Sequence, residues 1–104
     1  PKPSGPQAFE DKRRLDADRR KREKAFKALK DRVAELEGRI AERERDIKAV
    51  EQQIAAPDFY ANPDAAKPLL DKHQALMWDV GELLGQWEML QAEAEELRTA
   101  LPAR

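Results

Sequence analysis

Apolar residues recur along this chain at alternating steps of three and four, in two runs. The first is Phe26, Leu29, Val33, Leu36, Ile40, Arg43, Ile47, Val50 and Ile54; the second is Leu69, His73, Leu76, Val80, Leu83, Trp87, Leu90, Ala94, Leu97 and Leu101. A mean step of about 3.5 residues marks a helix with one seam to bury against another helix. Two such runs separated by a short interval of turn residues predict an all-α fold, an antiparallel two-helix coiled-coil hairpin in which each seam covers the other. Strict seven-residue spacing gives the pair a left-handed twist. A rod of this kind offers no cavity for a substrate, so function is to be sought on its surface.

Proline, glycine and asparagine punctuate the pattern. Residues 1–8 contain proline, serine and glycine and read as a linker, expected to be disordered. The start at Pro1 rather than at methionine suggests a piece cut from a longer protein. The hairpin is expected over residues 9–101. Its first helix spans about 10–56 and is stopped by Pro57, which lacks an amide donor and clashes with the preceding turn. Residues 57–64 (PDFYANPD) form the turn, with Asn62 or Asp64 as N-cap of the second helix, about 65–100. Pro68 is tolerable only in a first turn, so regular helix is expected from Lys67 or Pro68. Pro102 closes the second helix and leaves 102–104 as a tail.

The seam charges suggest a register. Arg43 is the charged residue in the middle of the first seam and His73 the titratable one in the second. Placing the two in one layer sets Leu29 on Trp87 and Phe26 on Leu90. It also pairs Asp46 with Lys72, Arg39 with Asp79 and Glu23 with Arg98. The alternative, one heptad away, sets Asp46 against Asp79, and the first register is favoured. Helix two also carries a second apolar line, Leu70, Met77 and Leu84, where helix one has Glu37, Glu44 and Glu51. A face this wide calls for a third element, and the turn, folding Phe59 or Tyr60 back near Leu70, is the nearest candidate.

Charge sharpens the picture. Charged residues make up 39% of the chain, which suits a thin rod, and the net charge is −1. That total hides an asymmetry. Residues 12–30 hold ten basic residues (Lys12, Arg13, Arg14, Arg19, Arg20, Lys21, Arg22, Lys24, Lys27 and Lys30) against three acidic ones, a local net of +7, so the remainder is −8. A partner meets the local field, not the sum. Lys12, Arg19 and Arg22 even fall on seam positions, which predicts a frayed or splayed end unless a partner covers it. The basic ridge has the composition of a phosphate-backbone binder without base-reading aromatics, hence sequence-independent binding to DNA or structured RNA. The rival reading is a solvated helix kept soluble by its lysines and arginines.

Other residues exclude more than they offer. There is no cysteine, so no disulfide or thiolate metal site. One histidine cannot build a metal site, and His73 reads as a seam residue. Nucleophile–base sets and glycine-rich phosphate loops are missing, so the chain reads as non-catalytic. No apolar run reaches the roughly 18 residues that cross a membrane, and no secretory signal is visible, so a cytoplasmic location is expected. Trp78 is placed outside the seam with Gly81 and Gly85 on its side. Together with Leu70, Met77 and Leu84 it could dock a protein, which makes an interaction or dimerisation coiled coil the alternative function.

The turn carries a resemblance. Ala-Pro-Asp-Phe-Tyr-Ala-Asn-Pro-Asp at 56–64, followed by Gln-Trp-Glu-Met-Leu at 86–90, resembles the C-terminal domain of the ABC-F family of ATP-binding cassette ATPases, in its Uup-like branch. That family shows D-P-x-[LF]-Y-x-x-P before the second helix and W-E-x-L near its end. Pro57, Phe59, Tyr60, Pro63, Trp87, Glu88 and Leu90 match it, over a resemblance spanning about residues 10–100; Pro68 departs from it. The resemblance implies a parent with two cassettes that bind ATP and magnesium and no transmembrane domain, acting on ribosomes or DNA. It implies that this hairpin is a monomeric nucleic-acid-binding arm for DNA or ribosomal RNA, which also meets the parent's own ATPase domains. No cofactor is expected in the chain itself.

Overall fold

The computed structural model describes residues 5–100. Linker residues 1–4, seam residue Leu101 and tail residues 102–104 lie outside the described residues. Two helices form an antiparallel hairpin: α1, Pro6–Ile54, and α2, Pro63–Ala100, joined by a 3-10 turn at Phe59–Ala61. The rod measures 87 × 18 × 15 Å.

Local chemistry explains the helix ends. α1 starts at Pro6, earlier than the pattern suggested, because Gly5 takes φ 76° and Pro6 sits where a missing amide costs nothing. The Phe9 amide then donates to the Gly5 carbonyl at 3.2 Å. At the other end, the Ala55 amide closes on the Glu51 carbonyl at 3.0 Å before Pro57 ends the run. Asn62 caps α2: its carbonyl accepts from Ala65 at 3.1 Å and Ala66 at 3.0 Å, and its side-chain Oδ1 lies 3.4 Å from the Ala65 amide. Asp64 follows in the first turn, where negative charge suits the helix dipole. Helix therefore begins at Pro63 rather than at Lys67 or Pro68. Pro68 is held inside it, close enough to the start that the one carbonyl it orphans lies in the first turn.

The seam forms two buried clusters. Val33, Leu36, Ile40, Leu83 and Leu90 make the first, with Leu29 and Trp87 packed against it. Ile47, Val50 and Leu76 make the second, flanked by Ile54 and Val80. These groupings correct the favoured register. Arg43 does not meet His73. The Arg43 guanidinium instead approaches Asp79 at 3.8 Å, and His73 Nε2 lies 3.2 Å from Glu51. The helices sit one heptad from the expected alignment, in the alternative register. The physical reason is twofold. Arg43 gains a carboxylate as counter-charge and His73 a carboxylate as hydrogen-bond partner, instead of the two bases meeting each other. Ile54 also joins the core, and burying a large aliphatic group is worth about 1.5–3 kcal/mol, whereas an exposed ion pair contributes a few tenths. The charge pairs that favoured the other alignment are outweighed. Arg98 forks onto Glu95 in its own helix, and this hydrogen bond holds the Glu95 carboxyl below the ordinary carboxylate range. Its contribution is present above the ordinary carboxylate pKa and is lost as pH falls through the lowered value.

The turn only partly plays the third element. Phe59 is buried, and the 3-10 turn contacts α2. Tyr60 meets the Phe59 ring edge-on, centroids 4.8 Å apart at 86°, and stays 70% exposed. Leu70, Met77 and Leu84 remain uncovered at 39%, 52% and 42% exposure.

The register is open to a direct test, since the chain has no native cysteine. The double variant Ile40→Cys, Leu83→Cys should cross-link under mild oxidation. Arg43→Cys with His73→Cys should not, because one heptad of offset, about 10 Å, exceeds disulfide reach. Gel mobility with and without reductant reads both. Leu83→Ala should cost about 2–4 kcal/mol in chemical unfolding, while Leu15→Ala, at a residue 69% exposed, should stay within about 0.5 kcal/mol of the parent.

Candidate nucleic-acid interface

The register determines what the basic stretch can do. With Val33 and Leu90 in one cluster, counting outward puts Ala100 opposite residue 23. Residues 6–22 of α1 therefore extend past the last described residue of α2, two turns further than the expected register would have left free. This end is neither frayed nor splayed: it is continuous α-helix. An isolated segment of that length would be marginal in water, but here it prolongs a helix already nucleated and anchored by the seam. Lysine and arginine are good helix formers. Phe9 and Leu15, at 63% and 69% exposure, show that no described element covers it.

The ten basic residues are not spread evenly. On a helix turning 100° per residue, Lys12, Arg13, Arg20, Lys24, Lys27 and Lys30 fall within an arc of about 120° over about 27 Å of length; its middle faces away from the seam, while Lys30 at its edge lies near enough to α2 to help Arg98 lower the Glu95 carboxyl. Asp16 and Glu23 share that arc. Arg14, Lys21 and Arg22 lie on other sides of α1, Arg22 in line with the seam. Nine of the ten are exposed, and Arg19 is half-buried. Two acids of this segment pair with cations off the ridge: Asp11 accepts from Arg14 at 2.8 Å, and Asp16 lies 3.8 Å from Arg19. Arg13 stacks over the Phe9 ring at 5.8 Å from its centroid. Among the described residues, Lys12, Arg20, Lys24, Lys27 and Lys30 make no ion pair. They form a solvent-facing row of positive charge with the spacing and reach to follow a phosphate backbone.

The residues suggested for protein docking lie elsewhere. Leu70, Met77 and Leu84 form one exposed line on α2. Trp78 is 72% exposed on a neighbouring line, with open space around Gly81 and Gly85. Met89, 68% exposed, lies on the opposite side of the rod and went unnoticed in the sequence because it belongs to neither apolar line. Trp87 is half-buried in the seam, and its Nε1 is buried without a partner. Among the described residues no group of three or more histidines or carboxylates converges as a metal site. No helix is long and apolar enough to cross a membrane.

The residues that carried the resemblance have structural duties. Phe59 is buried at the turn, Pro63 opens α2, and Leu90 belongs to the core. No curated protein and no solved structure matches the chain. Residues 19–92, most of its length, match the family described as ABC transporter C-terminal domain. With the hairpin, its turn and its seam in agreement with that match, the chain belongs to the ABC transporter C-terminal domain family, as the C-terminal domain of an ABC-F-like protein.

Proposed function

We propose that this accessory domain is a non-catalytic arm that binds nucleic acid, DNA or ribosomal RNA, through phosphates and without regard to sequence. In this reading its parent is a soluble cytoplasmic ATPase whose cassettes take ATP and magnesium and meet the arm directly. The observation that carries the reading is a row of exposed cations on one side of α1 that begins on the part outrunning α2, with Lys12, Arg13 and Arg20, and continues beside α2 with Lys24, Lys27 and Lys30. Net positive charge on a solubilising surface is normally interleaved with acids and spread over a fold. Here it is concentrated on one side of the N-terminal half of α1, in a chain whose other residues are net negative. Duplex DNA presents one negative charge per about 1.7 Å of axis, so a row about 27 Å long spans several phosphates at once.

Charge reversal separates the ridge from the remaining cations. The variant Lys12→Glu, Arg20→Glu, Lys24→Glu, Lys27→Glu should weaken binding to every duplex sequence alike. It should flatten log affinity against log salt by about 0.9 for each phosphate that is no longer neutralised. Reversing Arg14, Lys21 and Arg22, which lie off the ridge, should cost less per charge. Fluorescence anisotropy with labelled duplex and structured RNA at several salt concentrations measures both. Equal affinity of the ridge variant and the parent at low salt would make the basic stretch a solubility feature.

Amide hydrogen exchange tests the unpartnered helix. Residues 6–22 should exchange much faster than 33–50 in the free chain and become protected when nucleic acid is added. Protection appearing first around the turn instead would move the contact to the other end of the rod.

A further inference from the structure

One aromatic ring belongs to the basic side of α1 and not to its seam. The helix starts at Pro6, so Phe9 is helical and stands at the head of the cation row. By helical position it lies within about 20° of Arg20 and in line with Lys27, near the middle of the basic arc. It lies about 150° from the centre of the seam line through Leu29, Val33, Leu36 and Ile40. Leu15, exposed as well, is in line with Val33, on the side that packs against another helix. Packing of the hairpin gives no such account of Phe9, which is 63% exposed.

Charge around the ring is mostly positive. Within two turns on the same side of α1 stand Lys12, Arg13 and Asp16, and Asp16 lies 3.8 Å from Arg19. Glu10, Asp11 and Arg14 lie on other sides, the last two paired with each other. The Arg13 guanidinium rests over the ring, 5.8 Å from its centroid, a cation–π contact that orders both side chains. Between residues 9 and 30, Phe9 is the one apolar residue inside the basic arc. We propose that Phe9 is a stacking platform for an unpaired base, so that the arm takes nucleic acid at a single-stranded segment, with the base on the ring and its neighbouring phosphates on Lys12, Arg13 and Arg20. The proposal rests on the phosphate reading above and adds where along the polymer the arm sits.

A nucleotide fits this arrangement better than other occupants. It offers a flat π-face and a phosphate side by side, and the helix offers an aromatic ring and cations side by side. Stacking tolerates any base, because every base has a flat face, and so agrees with binding without regard to sequence. Bases inside a duplex are stacked on one another and leave no face for the ring, so the unpaired ones are those it can hold. An anionic lipid surface calls for a broad apolar face beside the cations, and a single ring does not make one. An apolar pocket on a protein would take a branched aliphatic side chain as readily as a flat ring, which gives a way to tell the two apart.

Three labelled probes separate the ring from the charges: a long blunt duplex, a duplex with an overhang of about six unpaired nucleotides, and the same overhang made abasic, which keeps its phosphates. In anisotropy titrations the full chain should bind the ordinary overhang about tenfold more tightly than the abasic one. Phe9→Ala should abolish that difference and leave affinity for the blunt duplex as it was. Phe9→Trp should keep the difference, and Phe9→Leu, apolar but not flat, should lose it. The position is exposed, so circular dichroism should show the helix retained in each variant. The same set in RNA shows which polymer the arm prefers, and the Phe9 effect is expected in both. Equal binding of the ordinary and abasic overhangs, or a difference that survives Phe9→Ala or Phe9→Leu, would overturn the inference. Failure of the phosphate reading looks different: reversing the ridge charges would then leave blunt-duplex affinity unchanged, whatever residue stands at position 9.

Discussion

The alignment of two imperfect seams governs the remaining features of this rod. Each apolar run is broken by one residue, Arg43 near the middle of the first and His73 near the start of the second. Sliding one helix by a heptad keeps the apolar residues facing one another, so the hydrophobic pattern alone leaves the register open. Its ends and interruptions decide it. In the adopted register Arg43 has Asp79 within 3.8 Å and His73 has Glu51 within 3.2 Å, while Ile54 packs with the second cluster. Removing a cation from water without a counter-charge is costly, and leaving a large aliphatic group in water is also costly. The adopted alignment avoids both, and it also sets how far α1 projects beyond α2.

Much of this was legible in the sequence, for identifiable reasons. The 3.5-residue period survives any register, so the all-α hairpin follows from it directly. Pro57 and Asn62 act through their own backbones and mark helix ends without help from the fold. Register was not legible in the same way, because it depends on a comparison of burial and ion pairing across the whole interface. Surface charge pairs, the feature easiest to count, are worth the least. Pro68 misled for a related reason: its local penalty is real, but packing and the Asn62 cap carry helix through it. The basic residues could be named from composition, yet the ridge depends on the 100° turn of a continuous helix, and its freedom depends on the register.

Separation of charge along a thin rod has its own consequence. At physiological ionic strength exposed charges are screened over about 8 Å. The rod is 87 Å long. The basic residues at the far N-terminal end of α1 therefore act independently of the charges around the turn, at the other end of the rod. A net charge of −1 and an isoelectric point near 5.9 describe neither end. A globular fold of the same composition would bring the two ends close together, whereas in the hairpin only residues 24–30 of the basic stretch lie beside acids of α2, where Lys30 acts on Glu95.

Family membership and ligand choice rest on different residues. The residues that match the family's turn and tryptophan pattern, among them Phe59, Pro63 and Leu90, set helix ends or fill the core. They specify where the helices turn and how the seam packs. The match itself begins at residue 19, so Lys12, Arg13 and Arg14 lie outside it and Arg20, Lys24, Lys27 and Lys30 within it. An arm whose shape is fixed by its seam can change its surface charge at little cost in stability, since substitutions at exposed helical positions away from the seam perturb folding by only about 0.5 kcal/mol. Shape is thus constrained by packing, while the charge pattern of the surface is free to vary. The seam and the turn therefore account for the shape of the hairpin, and the lysines and arginines along α1 account for the sign of its N-terminal half.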